Sequence, residues 1–193
     1  MVVEPTTSLT ARALVKGDKH PGCPRYSKAA SRPRLRMMVA ATVNKRPDLF
    51  GVAIPRVPVT DLVRYPLFTS GKTWISEIGN PSDPVEFIGL MQWSPLHNIM
   101  GGRRYPAILV TTAESDDRVV PMHSFKYVAS LQAAEIGDRP HLLRIDRNAG
   151  HGEGKSTGQL IDEFTDLWSF AAHESGLKVS AGTRMRRARA LRR

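Results

Sequence analysis

Hydrophobic residues along this chain fall into short runs divided by proline- and glycine-rich joints, and a few runs hold one period long enough to define an element. The clearest is Ala107-Ile108-Leu109-Val110-Thr111-Thr112, continuous, β-branched and bounded by Pro106 and an acidic cluster, which predicts a strand. His141-Leu142-Leu143-Arg144-Ile145 predicts a second strand. Between them Pro121 suits the first turn of a helix running to about residue 134. A glycine-rich loop over 149–154 follows the second strand. Leu160, Ile161, Phe164, Leu167, Trp168, Phe170 and Ala171 then recur at helical spacing, which predicts a long amphipathic helix. Upstream, residues 37–43 predict a helix ending before Pro47, because the residue before a proline disfavours the helical region. Val52-Ala53-Ile54 predicts a short strand cut off by Pro55 and Pro58. Residues 60–105 hold no lasting period, and residues 1–36, broken by Pro5, Pro21, Pro24 and Pro33, read as irregular. Alternation of strand and helix is the grammar of an α/β fold with a mostly parallel sheet.

A length of 193 residues supports one domain with a real core. The net charge of +10 would suggest nucleic acid, but its distribution argues against that partner. Residues 1–36 carry eight Lys/Arg against Glu4 and Asp18, and residues 178–193 carry seven and no acid. Residues 37–177, with 13 basic and 16 acidic residues, are mildly acidic. The expected organisation is therefore an irregular 1–36, a domain over 37–177 and a basic tail over 178–193. A single cysteine, Cys23, excludes an intrachain disulfide and a multi-cysteine metal site, and neither a metal nor a cofactor is expected. Apolar stretches fall far short of the ~20 residues a membrane span needs, so no membrane partner is expected. The first ten residues, with Glu4 and Pro5, show no secretory signal, which makes cytoplasm the expected compartment.

Three features could carry chemistry. Asp116-Asp117-Arg118 directly follows the strongest strand, where open α/β sheets place their sites, although such a charged triplet is ordinarily a solvated loop. Gly150-His151-Gly152 follows the next strand; its flanking glycines leave room for a substrate, yet a lone loop histidine is commonly incidental. Together they repeat the second half of the Ser…Asp…His chain order of α/β-hydrolases. The third is Ala149-Gly150-His151-Gly152-Glu153-Gly154-Lys155-Ser156, close to a glycine-rich phosphate loop. Such a loop needs a later strand ending in a magnesium-binding Asp, whereas residues 157–193 read as mostly helix and tail.

Asn44-Lys45-Arg46-Pro47-Asp48-Leu49-Phe50-Gly51, Ser94-Pro95-Leu96-His97-Asn98, Asp116-Asp117-Arg118-Val119-Val120-Pro121, His123-Ser124-Phe125-Lys126 and Ala149-Gly150-His151-Gly152, in this order, resemble the prolyl oligopeptidase family from about residue 37 to 177. The resemblance implies a partial α/β-hydrolase fold: the C-terminal strands and helices of a catalytic domain that cleaves after proline in short peptides. It implies Asp116 as the triad acid and His151 as the general base. It also implies Arg118 as a ligand of a substrate carbonyl, Trp74 as the indole that stacks on the substrate proline, and Val59 and Val119 as lining of that pocket. Without the resemblance Trp74 would read as a core aromatic.

The departure lies before residue 37. Where the family has a Gly-Gly-Ser-Asn-Gly-Gly elbow, this chain has Ala30-Ser31-Arg32-Pro33-Arg34-Leu35-Arg36. Counting back without gaps puts Pro33 at the nucleophile and Arg34 at the oxyanion donor. Proline has no hydroxyl and no N–H, and the missing glycines leave nothing suited to a strained turn. The expectation is an inactive fragment of a serine peptidase, with arginine-rich ends that suggest translation out of register. Proline-containing peptides are its expected ligands only where a complementing N-terminal part is present. Alone, it is expected to be oligomeric or aggregation-prone. The alternatives are an interaction protein binding nucleic acid through its basic tails and, more remotely, a nucleotide site at 149–156.

Overall fold

The computed structural model describes residues 33–147, 149–151 and 155–178, with side chains from residue 37 onward. Ser31, Cys23, Gly152 and nearly all of both basic ends lie outside the described residues.

Three parallel strands form the sheet, in the order β1 (Val52–Ala53), β2 (Ala107–Ala113) and β3 (His141–Asp146). All seven residues of β2 are buried, as a central parallel strand covered on both faces requires. β3 pairs with it from Ile108 opposite His141 to Ala113 opposite Asp146, so both strands end level. The unbroken apolar run and the Pro106 boundary are what made β2 readable.

Helix α1 (Pro33–Lys45) starts four residues before the boundary read from the sequence. Pro33 stands at its first position, where a missing N–H costs nothing because the first turn has no intrahelical acceptor for it. Ala40, Val43 and Asn44 face inward. Asn44 donates through Nδ2 to the Pro95 carbonyl at 2.7 Å and accepts from the Tyr127 hydroxyl at 2.7 Å, joining α1 to the 3-10 turn Pro95–His97 and to α4 (Met122–Ala133). On α4 the buried His123, Ser124, Tyr127, Val128 and Leu131 form one stripe at helical spacing. Tyr127, Val128 and Leu131 of that stripe close a core with Ala40, Val43, Ile108 and Val110.

The stretch without a readable period, 60–105, is a series of short turns with two helices, α2 (Ile75–Ile78) and α3 (Pro84–Trp93). Asp83 caps α3 by accepting from the Val85 and Glu86 amides at 2.8 and 3.0 Å, with Pro84 in the first turn. That Asp-Pro start was legible; the interior was not, since α3 is apolar on several sides and buries only Leu90.

Helix α5 (Thr157–Glu174) opens on a capping box in which Ser156 and Gln159 satisfy each other's amides. Its predicted apolar face exists, but most of it meets solvent rather than the core. Ile161 is 59 % and Trp168 62 % exposed, with Leu160 and Phe164 exposed beside them, while Glu163 and Leu167 are the buried pair. Periodicity reveals which residues share a face and says nothing of what covers it. Among the described residues no helix is long and apolar enough to cross a membrane.

Candidate active site

The site is built where β2 and β3 end together. Past Ala113 the chain turns, and Asp116 is buried with its carboxylate wholly out of solvent. Its Oδ1 accepts from the amides of Arg118 at 3.0 Å and Val119 at 2.8 Å. Asp side chains form such local turns readily, which is why an aspartate rather than a longer acid suits this position. Past β3, the loop that carries His151 is tied back to the end of β2. The Glu114 amide donates to Asp146 O at 2.9 Å, and the Ser115 amide to Ala149 O at 3.2 Å.

These ties place His151 Nδ1 2.7 Å from both Asp116 oxygens. A carboxylate at that distance accepts the Nδ1 proton and fixes the tautomer, leaving Nε2 as the basic nitrogen. Nε2 has no hydrogen-bond partner among the described residues. The ring keeps 11 % of its side-chain surface open, enough for one edge to be approached. Such a pair can take a proton from a hydroxyl and return it to a leaving group.

The other predicted residues divide. Val59, Val119 and Trp74 do come together, in one apolar cluster with Leu62, Tyr65 and Leu90. Both valines and Trp74 itself are buried, so the three form a closed apolar cluster rather than an open lining. Trp74 lies parallel to Tyr65, with ring centroids 6.4 Å apart. Arg118 is exposed beside Asp116, to which its own amide donates. Pro33 is the first residue of α1.

One further serine–histidine contact is a decoy. Ser94 Oγ lies 2.7 Å from His97 Nδ1, but Ser94 is fully buried and its oxygen also accepts from the Leu62 amide, so no substrate reaches it.

In the stretch that resembles a phosphate loop, Lys155 and Ser156 are spent on other contacts. Lys155 Nζ bonds Asp146, and Glu163 at 2.7 Å, while Ser156 caps α5. A lysine held between two carboxylates is not available to a phosphate, and the nucleotide reading is not favoured. Sequence reasoning missed the charged group around Lys155, formed with Arg56, Arg144, Asp146, Glu163 and Asp166. Only the position of Asp146 at a strand end hinted at it. Val57, at φ 47°, turns the chain sharply out of β1 between Arg56 of this group and Val59 of the apolar cluster. That backbone is strained for a β-branched residue.

The same sequence pattern occurs in known proteins. Residues 37–178 match the prolyl oligopeptidase family. Prolyl oligopeptidase A of Amanita bisporigera is 51 % identical over 143 residues, which are 73 % of this chain and 19 % of that protein. Prolyl endopeptidase of Elizabethkingia miricola is 46 % identical over 154 residues, 79 % of this chain and 22 % of that protein. The solved structure of prolyl oligopeptidase B from Galerina marginata, bound to a 35mer hydrolysis and macrocyclization substrate, superposes with a TM-score of 0.71 at 40 % identity. That match covers 75 % of this chain and 20 % of the other. The chain thus spans about a fifth of the length of the curated relatives it matches.

Proposed function

The chain belongs to the prolyl oligopeptidase family, and from that premise we propose that it carries the acid and base of a serine-peptidase centre without the nucleophile. The observation that carries this reading is the 2.7 Å contact of His151 Nδ1 with Asp116 at the level ends of neighbouring parallel strands. Asp116 is the acid that orients the imidazole and stabilises its charged form without taking the proton; His151 is the general base. A serine hydroxyl delivered near Nε2 would attack the peptide carbonyl as its proton passes to Nε2. The same proton would then go to the departing amine. Pro33 supplies neither that hydroxyl nor a backbone donor for the oxyanion.

Trp74, packed in one cluster with Val59 and Val119, is the indole that meets the substrate's proline ring through the edge it leaves open, and Arg118 the donor for a substrate carbonyl. Peptides containing proline are therefore the ligands, bound productively once another segment brings the nucleophile. Loss of one triad member costs about 10⁴–10⁶ in rate, so the 193-residue chain by itself should not turn over a proline-containing fluorogenic peptide. It should also resist labelling by a fluorophosphonate, and Pro33→Ser alone should not rescue it, because the glycines that shape the elbow around the serine would still be missing. Turnover, or stoichiometric labelling of any serine, would overturn the reading.

Isolated, the chain also associates with itself. β1 lies at the edge of the three-stranded sheet, and the exposed Leu160, Ile161, Phe164 and Trp168 add an apolar face on α5. Every ~100 Å² of such surface left in water forgoes about 2.5 kcal/mol of burial, and an unpaired strand edge is a template for another chain. Sedimentation velocity should show dimers or larger species that shift with concentration. A compact monomer at every concentration would refute this.

A further inference from the structure

The segment that carries His151 is pinned at its two ends. Its entry is Asp146, the last residue of β3, and its exit is Lys155, just before α5. Lys155 Nζ donates to Asp146 and to Glu163, the latter at 2.7 Å, so both ends of the loop meet through one buried ammonium. The arrangement is braced from outside: Arg56 donates to the other Glu163 oxygen at 2.6 Å, and Arg144 bonds both Asp146 and Asp166. Three cations and three carboxylates thus balance. Lys155 is 8 % exposed at its side chain and Glu163 2 %, a depth at which an unmatched charge is costly.

Desolvation alone would push Lys155 down and Asp146 and Glu163 up, but the hydrogen bonds and ion pairs between them outweigh it. Lys155 is held above the ordinary lysine value, and both carboxylates below theirs. All three groups stay charged near neutrality, and the closure persists. Nothing in the acid–base chemistry uses this group, and among the described residues no hydrogen bond or ion pair joins its side chains to those of His151 or Asp116.

We propose that Lys155 is a positioning residue, which ties Asp146 at the loop's entry to its own exit position and so holds His151 in the place where Nδ1 reaches Asp116. The inference rests on the proposed acid–base pairing of Asp116 with His151. Upstream, backbone bonds from Glu114 to Asp146 and from Ser115 to Ala149 fix the segment before the histidine. The ion pair is the fastening on the other side of the histidine.

The test is ring-nitrogen NMR of the full chain selectively labelled at histidine, with His151→Gln to assign the signal among the six histidines. In the unaltered chain His151 should be an Nδ1–H tautomer. Buried His123, whose Nδ1 accepts from the Asp61 amide, should be Nε2–H and serves as the reporter of an intact fold. In Lys155→Met, His151 should lose the Nδ1–H form and take the Nε2–H tautomer that free imidazoles favour, while His123 is unchanged. Lys155→Arg should restore Nδ1–H. The double variant Lys155→Met/Glu163→Gln removes the carboxylate left without its lysine, and should show the same loss if the single variant does not fold. A folded variant in which His151 keeps Nδ1–H would overturn the proposal. Loss of the His123 signal in both variants would overturn it too, because Lys155 would then hold the fold rather than the loop. An unaltered chain lacking the Nδ1–H form would instead refute the acid–base pairing itself.

Discussion

Acidification from pH 7 to 4 should cost the folded chain about 3 kcal/mol through one histidine, since His123 is held at about 4 while a free histidine titrates near 6.5. Burial is the main cause; nearby Asp61 opposes it and Lys126 adds to it. The ring is 1 % exposed, lies edge-on to Phe68 at 5.1 Å, and uses Nδ1 to accept the Asp61 amide at 3.2 Å. Protonating Nδ1 would break that bond and bury a charge. Between pH 6.5 and 4 the unfolded chain therefore binds a proton that the native chain does not, and stability falls as pH falls through that window. His141, lowered by burial, adds in the same direction. Asp146 and Glu163, lowered by their ion pairs against the opposing effect of burial, begin to lose their contribution as pH falls through their ordinary values of 3.8 and 4.5, at the acid end of this window. Urea unfolding at half-unit pH intervals should show the loss. In His123→Asn, whose carbonyl can still accept from the Asp61 amide, most of the slope between 6.5 and 4 should vanish. Equal slopes in the two proteins would sink the assignment.

His123 belongs to a motif that the sequence made visible, yet nothing in the sequence showed that its ring is a buried neutral acceptor. The same division runs through the molecule. β2 was legible because a continuous β-branched run bounded by Pro106 and an acidic cluster has few other uses, and β3 because a short apolar run follows Pro140. Asp116 and His151 were legible because two parallel strands that end level bring their following loops together, whatever lies elsewhere. Lys155 was not. Its residue type and its glycine neighbours invited a phosphate reading, and its partners Asp146 and Glu163 lie 9 and 8 residues away in different elements. The exposure of α5's apolar face was likewise hidden, since it depends on what stands opposite the helix. The start of α1 was misjudged for a local reason: a proline that breaks a helix from within is welcome at its first position.

Gly71 is the sharpest case of a constraint the sequence did not announce, and Gly71→Ala should destabilise the chain by about 1.5–4.5 kcal/mol. A Cβ there would sit 1.8 Å from the Tyr65 carbonyl oxygen and 2.6 Å from its carbon, where real contacts essentially never come under 3.0 Å. Both are backbone atoms, so no rotamer relieves the clash. The two 3-10 turns Tyr65–Leu67 and Gly71–Trp74 must move apart instead. Separation breaks the Gly71 amide's bond to Phe68 O and the parallel contact of Tyr65 with Trp74. Overpacking costs about 1–3 kcal/mol, and an aromatic pair adds about 0.5–1.5. Trp74 also provides its own readout. It is 8 % exposed, while Trp93 and Trp168 are half exposed or more, so blue-shifted emission belongs to Trp74. Gly71→Ala should lower the urea midpoint and move that emission to the red together. Gly51→Ala, where an added Cβ meets nothing within 4 Å, should change neither. An unchanged midpoint in Gly71→Ala would mean that the turns can part freely, and Trp74 would then lack the rigid base that a proline-stacking indole requires.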